Sequence, residues 1–170
     1  MGQVQPTIRL ETDDDLGVIR NINRLAFGQD DEGELVDALR AGGFAELSMV
    51  AEIDNRVVGH ILFSKLEIIS EQATVNALAL APMAVLPDYQ RQGIGSPLVR
   101  KGLDQCRDEG HAIVIVLGHR NYYPRFGFSA ELAKPLQSIY AGDSFMALEL
   151  VAGALQGVTG SVVYARPFGE

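Results

Sequence analysis

Between residues 76 and 118 the chain changes period twice without a hairpin turn. Residues 76–86 end in ALALAPMAVL, a run of apolar residues and one proline, which reads as a strand buried on both faces. Leu98, Val99, Gly102, Leu103 and Cys106 then recur at helical spacing. Arg100, Lys101, Asp104, Arg107 and Asp108 lie opposite, and Gly110 stops the helix. The segment AIVIVLG at 112–118 is a second apolar strand. Strand, helix and strand in this order form a βαβ unit, whose strands run parallel through a right-handed crossover. The first of these strands, apolar on both faces, is expected near the centre of its sheet.

The preceding chain is of another kind. Residues 7–10 read as a short strand, and Thr12 with Asp15 makes a capping box for a helix carrying Leu16, Ile19, Ile22 and Ala26, closed by Gly28. A second helix starts near Asp31, with Leu35, Val36 and Leu39 on one face and Gly42-Gly43 at its end. Two β-rich runs flank Asp54-Asn55, so 47–69 is predicted to be an antiparallel hairpin. Two further strands are expected at 145–150 and 161–165, and 129–144 reads as a loop. The fold class is therefore α/β: one domain over 1–170, with a mixed, mostly antiparallel sheet, a parallel central βαβ pair and flanking helices.

Composition narrows the function. A chain of 170 residues suffices for one domain that buries roughly 70% of its unfolded surface. Its net charge of −8 argues against nucleic acid and anionic membranes as partners and suits a cationic one. The single cysteine, Cys106, cannot form an internal disulfide. The opening MGQVQPTIRL lacks a basic flank followed by an apolar stretch, so no signal peptide is expected and the cytoplasm is the expected location. His60, His111 and His119 stand singly without ligand spacing, so no metal is expected. The residues do not decide between a monomer and a homodimer.

Chemistry concentrates between the first βαβ strand and its helix, in VLPDYQRQGIGSPLV at 85–99. The first N–H groups of a helix have no internal acceptor, and the helix dipole adds partial positive charge there. Gly93 and Gly95 allow an anion close approach, Arg91 adds a cation, Ser96 can cap or donate, and Pro97 fits the first turn. A Rossmann fingerprint needs a glycine where Leu98 stands, and a P-loop needs Gly-Lys-Ser/Thr, which is absent.

The run Val85-x-Pro87-x-x-Gln90-Arg91-Gln92-Gly93-Ile94-Gly95 resembles the acetyl-CoA-binding motif of the GNAT superfamily of N-acetyltransferases, Q/R-x-x-G-x-G/A after a central strand. Asn121-Tyr122-Tyr123-Pro124-Arg125-Phe126-Gly127-Phe128 resembles that superfamily's second landmark, a short helix whose tyrosine precedes a Gly-Phe pair. The order of elements agrees over nearly the whole chain. The resemblance implies a GNAT-like acyl-CoA N-acyltransferase fold, its parallel pair splayed at the ends, and acetyl-CoA as acetyl donor to an amine acceptor.

It also implies roles. Main-chain amides of Arg91, Gln92, Gly93, Ile94, Gly95 and Ser96 would hold the CoA diphosphate. Met83, Ala84 and Val85 would pair with the pantetheine arm, and a main-chain N–H near Val85 would donate to the thioester oxygen. Asn121 would contact the cofactor. Tyr123 would protonate the leaving thiolate, with Tyr122 as the neighbour able to exchange roles with it. Many relatives carry a glutamate on the central strand, but 77–86 holds none. Glu52, or water leading to an exposed carboxylate, is left as the base. With Cys106 on an apolar helix face, direct transfer in a ternary complex is expected rather than an acetyl-enzyme. The alternative is a non-catalytic acyl-CoA-binding sensor or regulatory module.

Overall fold

The computed structural model describes residues 5–169. The first four residues, part of the stretch searched for a leader, and the last one lie outside them. The chain gathers into two compact units. One takes the chain up to Phe63 with Ala81–Asp104, and the other takes Ser64–Leu80 with the chain from Gln105 onward. No helix among the described residues is long and apolar enough to cross a membrane.

In the first unit, β1 (Thr7–Leu10) pairs antiparallel with β2 (Ala45–Ile53), Ile8 opposite Ala51. The capping box forms as the sequence predicts: the Thr12 N–H donates to Asp15 Oδ2 at 2.7 Å. A short 3-10 turn leads into α1 (Leu16–Phe27), which Gly28 ends at φ 73. Helix α2 (Asp31–Ala41) follows, burying Val36 and Leu39. Asp54 and Asn55 stand at φ 50 and φ 64, both left-handed, as a two-residue type I′ turn requires. That turn sets the register of β2 against β3 (Arg56–Ile69). The end of β4 (Thr74–Val85) runs beside β3, and α3 (Gly95–Asp108) covers them. A Cβ on Gly102 would come within 2.6 Å of the Phe63 ring, and one on Gly59 within 2.9 Å of Leu98. Both glycines let helix and strand approach closely. Leu98 and Val99 are fully buried there, each contributing roughly 2 kcal/mol. This packing fixes where α3 begins.

In the second unit, β5 (Ile113–Leu117) lies parallel to the start of β4 through Leu78↔Val114 and Ala79↔Ile115. On its other side it runs antiparallel to β7 (Phe145–Glu149). The outer part of β3 pairs antiparallel with β8 (Gly160–Tyr164). A core of Leu66, Ile68, Ala79, Ile113, Ile115, Phe145 and Ala147 fills this unit. The sheet is thus mixed and mostly antiparallel, with the predicted parallel pair at β4–β5. The segment read as a loop departs from expectation. It holds α4 (Ala130–Ala133), capped by Ser129 Oγ accepting from the Leu132 N–H, and β6 (Leu136–Gln137). Strand β6 pairs with β8 in parallel, a second such pair.

Candidate active site

In the first unit, β4 delivers Met83, Ala84 and Val85 to the loop. The Leu86 N–H donates to Val58 O at 2.8 Å, and Pro87–Tyr89 forms a 3-10 turn. Two side chains fasten the loop to itself. Gln90 Nε2 donates to Val85 O at 2.9 Å, and Gln92 Nε2 to Asp88 O at 2.8 Å. Ile94 is buried and pins the loop from below, while Arg91, Gln92 and Gly93 are exposed. Arg91 (φ 62) and Gly93 (φ 81) are left-handed. Such residues let successive main-chain N–H groups converge on an anion. Helix α3 opens at once with Gly95, Ser96 and Pro97, adding the amides and dipole of its first turn. The predicted loop residues therefore sit on one turn of this unit.

In the second unit, the carboxyl end of β5 carries the other predicted residues. The Gly118 N–H donates to Ser144 O at 3.0 Å. The His119 carbonyl accepts from both the Tyr122 N–H (3.0 Å) and the Tyr123 N–H (3.2 Å). A 3-10 turn, Tyr123–Phe126, closes on Gly127 at φ 103. Tyr123 is buried, edge-on to Tyr122 (5.1 Å) and Phe128 (5.7 Å). Burial, with Tyr122 adding, pushes its hydroxyl up to about 12, so it holds its proton at every physiological pH. Beside it lies a cavity of about 770 Å³, whose wall includes His119, Arg120, Asn121, Tyr122, Arg125 and Asp143. Tyr122 faces this cavity directly, whereas Tyr123 packs against Gly118.

Glu52 is engaged elsewhere. Arg9 Nε binds its Oε1 at 2.5 Å, and the same guanidinium clasps both oxygens of Asp15 at 2.7 and 3.0 Å. Hydrogen bonding from Arg9, against the opposing effect of burial, holds Asp15 down at about 2. A polar chain that the sequence does not reveal runs through the same unit. His60, fully buried, has Nδ1 3.4 Å from Asn23 Nδ2 and Nε2 2.8 Å from Ser48 Oγ. Ser48 Oγ donates to Glu11, which Arg40 grips at 2.6 and 3.0 Å. Asn23 Nδ2 also donates to Ile19 O, so Nδ1 of His60 accepts and Nε2 donates. Burial first, and Arg40 second, hold this imidazole at about 3. Cys106 is fully buried. Among the described residues, no three His, Cys, Asp or Glu side chains gather to hold a metal.

Residues 17–128 match the family described as the acetyltransferase (GNAT) family. The chain is 36% identical over 164 residues to the uncharacterized N-acetyltransferase YhbS of Escherichia coli strain K12, covering 95% of this chain and 97% of that one. It is 39% identical over 124 residues to YjhQ, another uncharacterized N-acetyltransferase of that strain, covering 72% and 68%. The crystal structure of E. coli YhbS in complex with CoA superposes with a TM-score of 0.89, at 34% identity over 100% of this chain and 95% of that one. A Brucella melitensis GNAT acetyltransferase in complex with acetyl-CoA gives 0.81, at 36% identity over 97% and 99%.

Proposed function

This chain belongs to the GNAT family of acetyltransferases and is an N-acetyltransferase; on that premise we propose that it transfers an acetyl group from acetyl-CoA to an amine by direct attack in a ternary complex. The observation that carries the proposal is the turn from Gln90 to Gly95, with two left-handed residues opening onto the amino end of α3. Two relatives above 30% identity have structures with CoA or acetyl-CoA bound, which supports the same donor here. The family match runs through both compact units, in keeping with one acetyltransferase domain over the whole chain.

In this reading the main-chain amides of Arg91 to Ser96 hold the diphosphate, and Arg91 adds a cation. The backbone of Met83, Ala84 and Val85 pairs with the pantetheine arm, and Asn121 makes a polar contact to the cofactor. The neutral amine attacks the thioester carbonyl, and the Val85 N–H stabilises the oxyanion. As the carbon–nitrogen bond forms and the carbon–sulfur bond breaks, the Tyr123 hydroxyl donates to the departing sulfur. A thiol has a reference pKa of ~8.5, so the sulfur can leave as thiolate and Tyr123 need only supply a firm hydrogen bond. The buried state of Cys106 supports transfer without an acetyl-enzyme. The single cysteine, which has no partner for an internal disulfide, is in keeping with a reducing compartment such as the cytoplasm.

The test is thiol release from acetyl-CoA with a panel of amines, beside calorimetric binding of acetyl-CoA. Release that depends on both amine and acetyl-CoA is expected. Tight binding with no release from any amine would identify a sensor instead.

A further inference from the structure

The proposed reaction lacks one participant: a group to take the proton from an alkyl ammonium of reference pKa ~10. Residues 77–86 of β4 hold no carboxylate. Glu52 is committed to Arg9 at 2.5 Å, and His60 is fully buried within its own chain of hydrogen bonds. We propose that the imidazole of His119, on the wall of the cavity at the carboxyl end of β5, is the general base that deprotonates the acceptor amine. The inference rests on the function proposed above.

Three observations point to it. First, His119 is exposed on the same wall as Asn121 and Tyr122, in a cavity of about 770 Å³, ample for a small ligand. Second, its main chain is held to the tyrosine turn, because its carbonyl receives the N–H groups of Tyr122 and Tyr123 at 3.0 and 3.2 Å. The backbones of His119 and Tyr123 thus share one turn. Third, the other titratable and charged groups of that wall are poorer bases or already occupied. Asp143 is already paired with Arg120 at 3.1 Å. Arg125 lies over the Tyr122 ring at 4.6 Å. Tyr122 would have to ionise before it could accept. A neutral imidazole offers a ring-nitrogen lone pair that can take a proton directly, as the commonest general base does. One ring nitrogen takes the ammonium proton as the amine reaches the thioester, and solvent at the exposed ring removes it.

The experiment is the pH profile of kcat/KM, from pH 5.5 to 10, for the wild type, His119→Gln and the control His111→Gln, with acetyl-CoA affinity measured by calorimetry. We expect His119→Gln to bind acetyl-CoA as the wild type does and to lose ~100-fold in kcat/KM near pH 7. The deficit should shrink towards unity near pH 10, where solvent already removes the amine proton. The acid-side limb of the wild type should disappear in His119→Gln, persist in His111→Gln, and free imidazole should restore turnover to His119→Gly. A His119→Gln profile parallel to the wild type, or a loss equal at every pH, would overturn the assignment. A wild type that releases no thiol with any amine would overturn the proposed function itself.

Discussion

A Cβ on Gly118 would stand 2.8 Å from Cδ2 of Tyr123 and closer still to Cε2. The bare Cα at the end of β5 is therefore the seat of the tyrosine ring. Gly118 is not among the left-handed glycines, so any penalty at this position is steric. Gly118→Ala should displace the ring, lower stability by about 1–3 kcal/mol, and reduce kcat more than acetyl-CoA affinity. Chemical denaturation and steady-state kinetics measure the two effects separately.

Tyr123→Phe should lower kcat by roughly tenfold or more while leaving acetyl-CoA binding nearly unchanged. The hydroxyl is pushed up to about 12, so it stays protonated throughout pH 6–10 and the loss should be the same at each pH. For stability the sign is that of a raised value. The contribution of the buried neutral phenol is complete below ~10, its unfolded value, and is lost as pH climbs towards 12. Kinetic ratios that vary across pH 6–10 would remove Tyr123 from its role as hydrogen-bond donor to the departing sulfur.

Arg91 combines a cation with a backbone conformation that suits glycine. Arg91→Gly should relieve up to about 1 kcal/mol of strain and raise or preserve Tm. It should nonetheless weaken acetyl-CoA binding about fivefold to tenfold through loss of the charge. Calorimetry and thermal melts on one sample distinguish the opposed effects.

Acid should lower stability over two overlapping pH ranges. Both His60 (about 3) and Asp15 (about 2) are lowered in the folded state, so each contributes above its unfolded value and loses that contribution as pH falls. His60 acts from ~6.5 down towards 3, with a slope of up to about 1.4 kcal/mol per pH unit. Asp15 acts from ~4 down to 2 and contributes roughly 2 kcal/mol at neutral pH. Urea titrations across pH should show His60→Gln flattening the loss over the first range and Asp15→Asn over the second.

Much of this architecture is legible in the sequence because it obeys local rules. Asp54-Asn55 tolerate the left-handed backbone that a two-residue hairpin demands, and Gly28 and Gly110 mark helix ends at φ 73 and φ 92. The turn between β4 and α3 is legible as a turn because Gly93 and Gly95 interrupt an apolar strand and an apolar helix face. The segment 129–144 is not legible, since a four-residue helix and a two-residue strand are too short to display a period. The His60 chain is hidden for a different reason. Its partners lie 12, 29 and 37 residues apart, and only the pairing of β1, β2 and β3 with the two helices brings them together. Glu52 looks like a base in sequence and proves to be Arg9's partner for the same reason, 43 residues away. The seat of Tyr123 on Gly118 has no sequence signal beyond a glycine at a strand end.

The central claim is that the turn between β4 and α3 holds the diphosphate of the acetyl donor. A crystal structure of this protein with CoA bound tests it most directly. The diphosphate oxygens should lie about 3 Å from main-chain nitrogens of Arg91 to Ser96. A bound CoA whose diphosphate lies elsewhere, with this turn closed over its own amides, would contradict it.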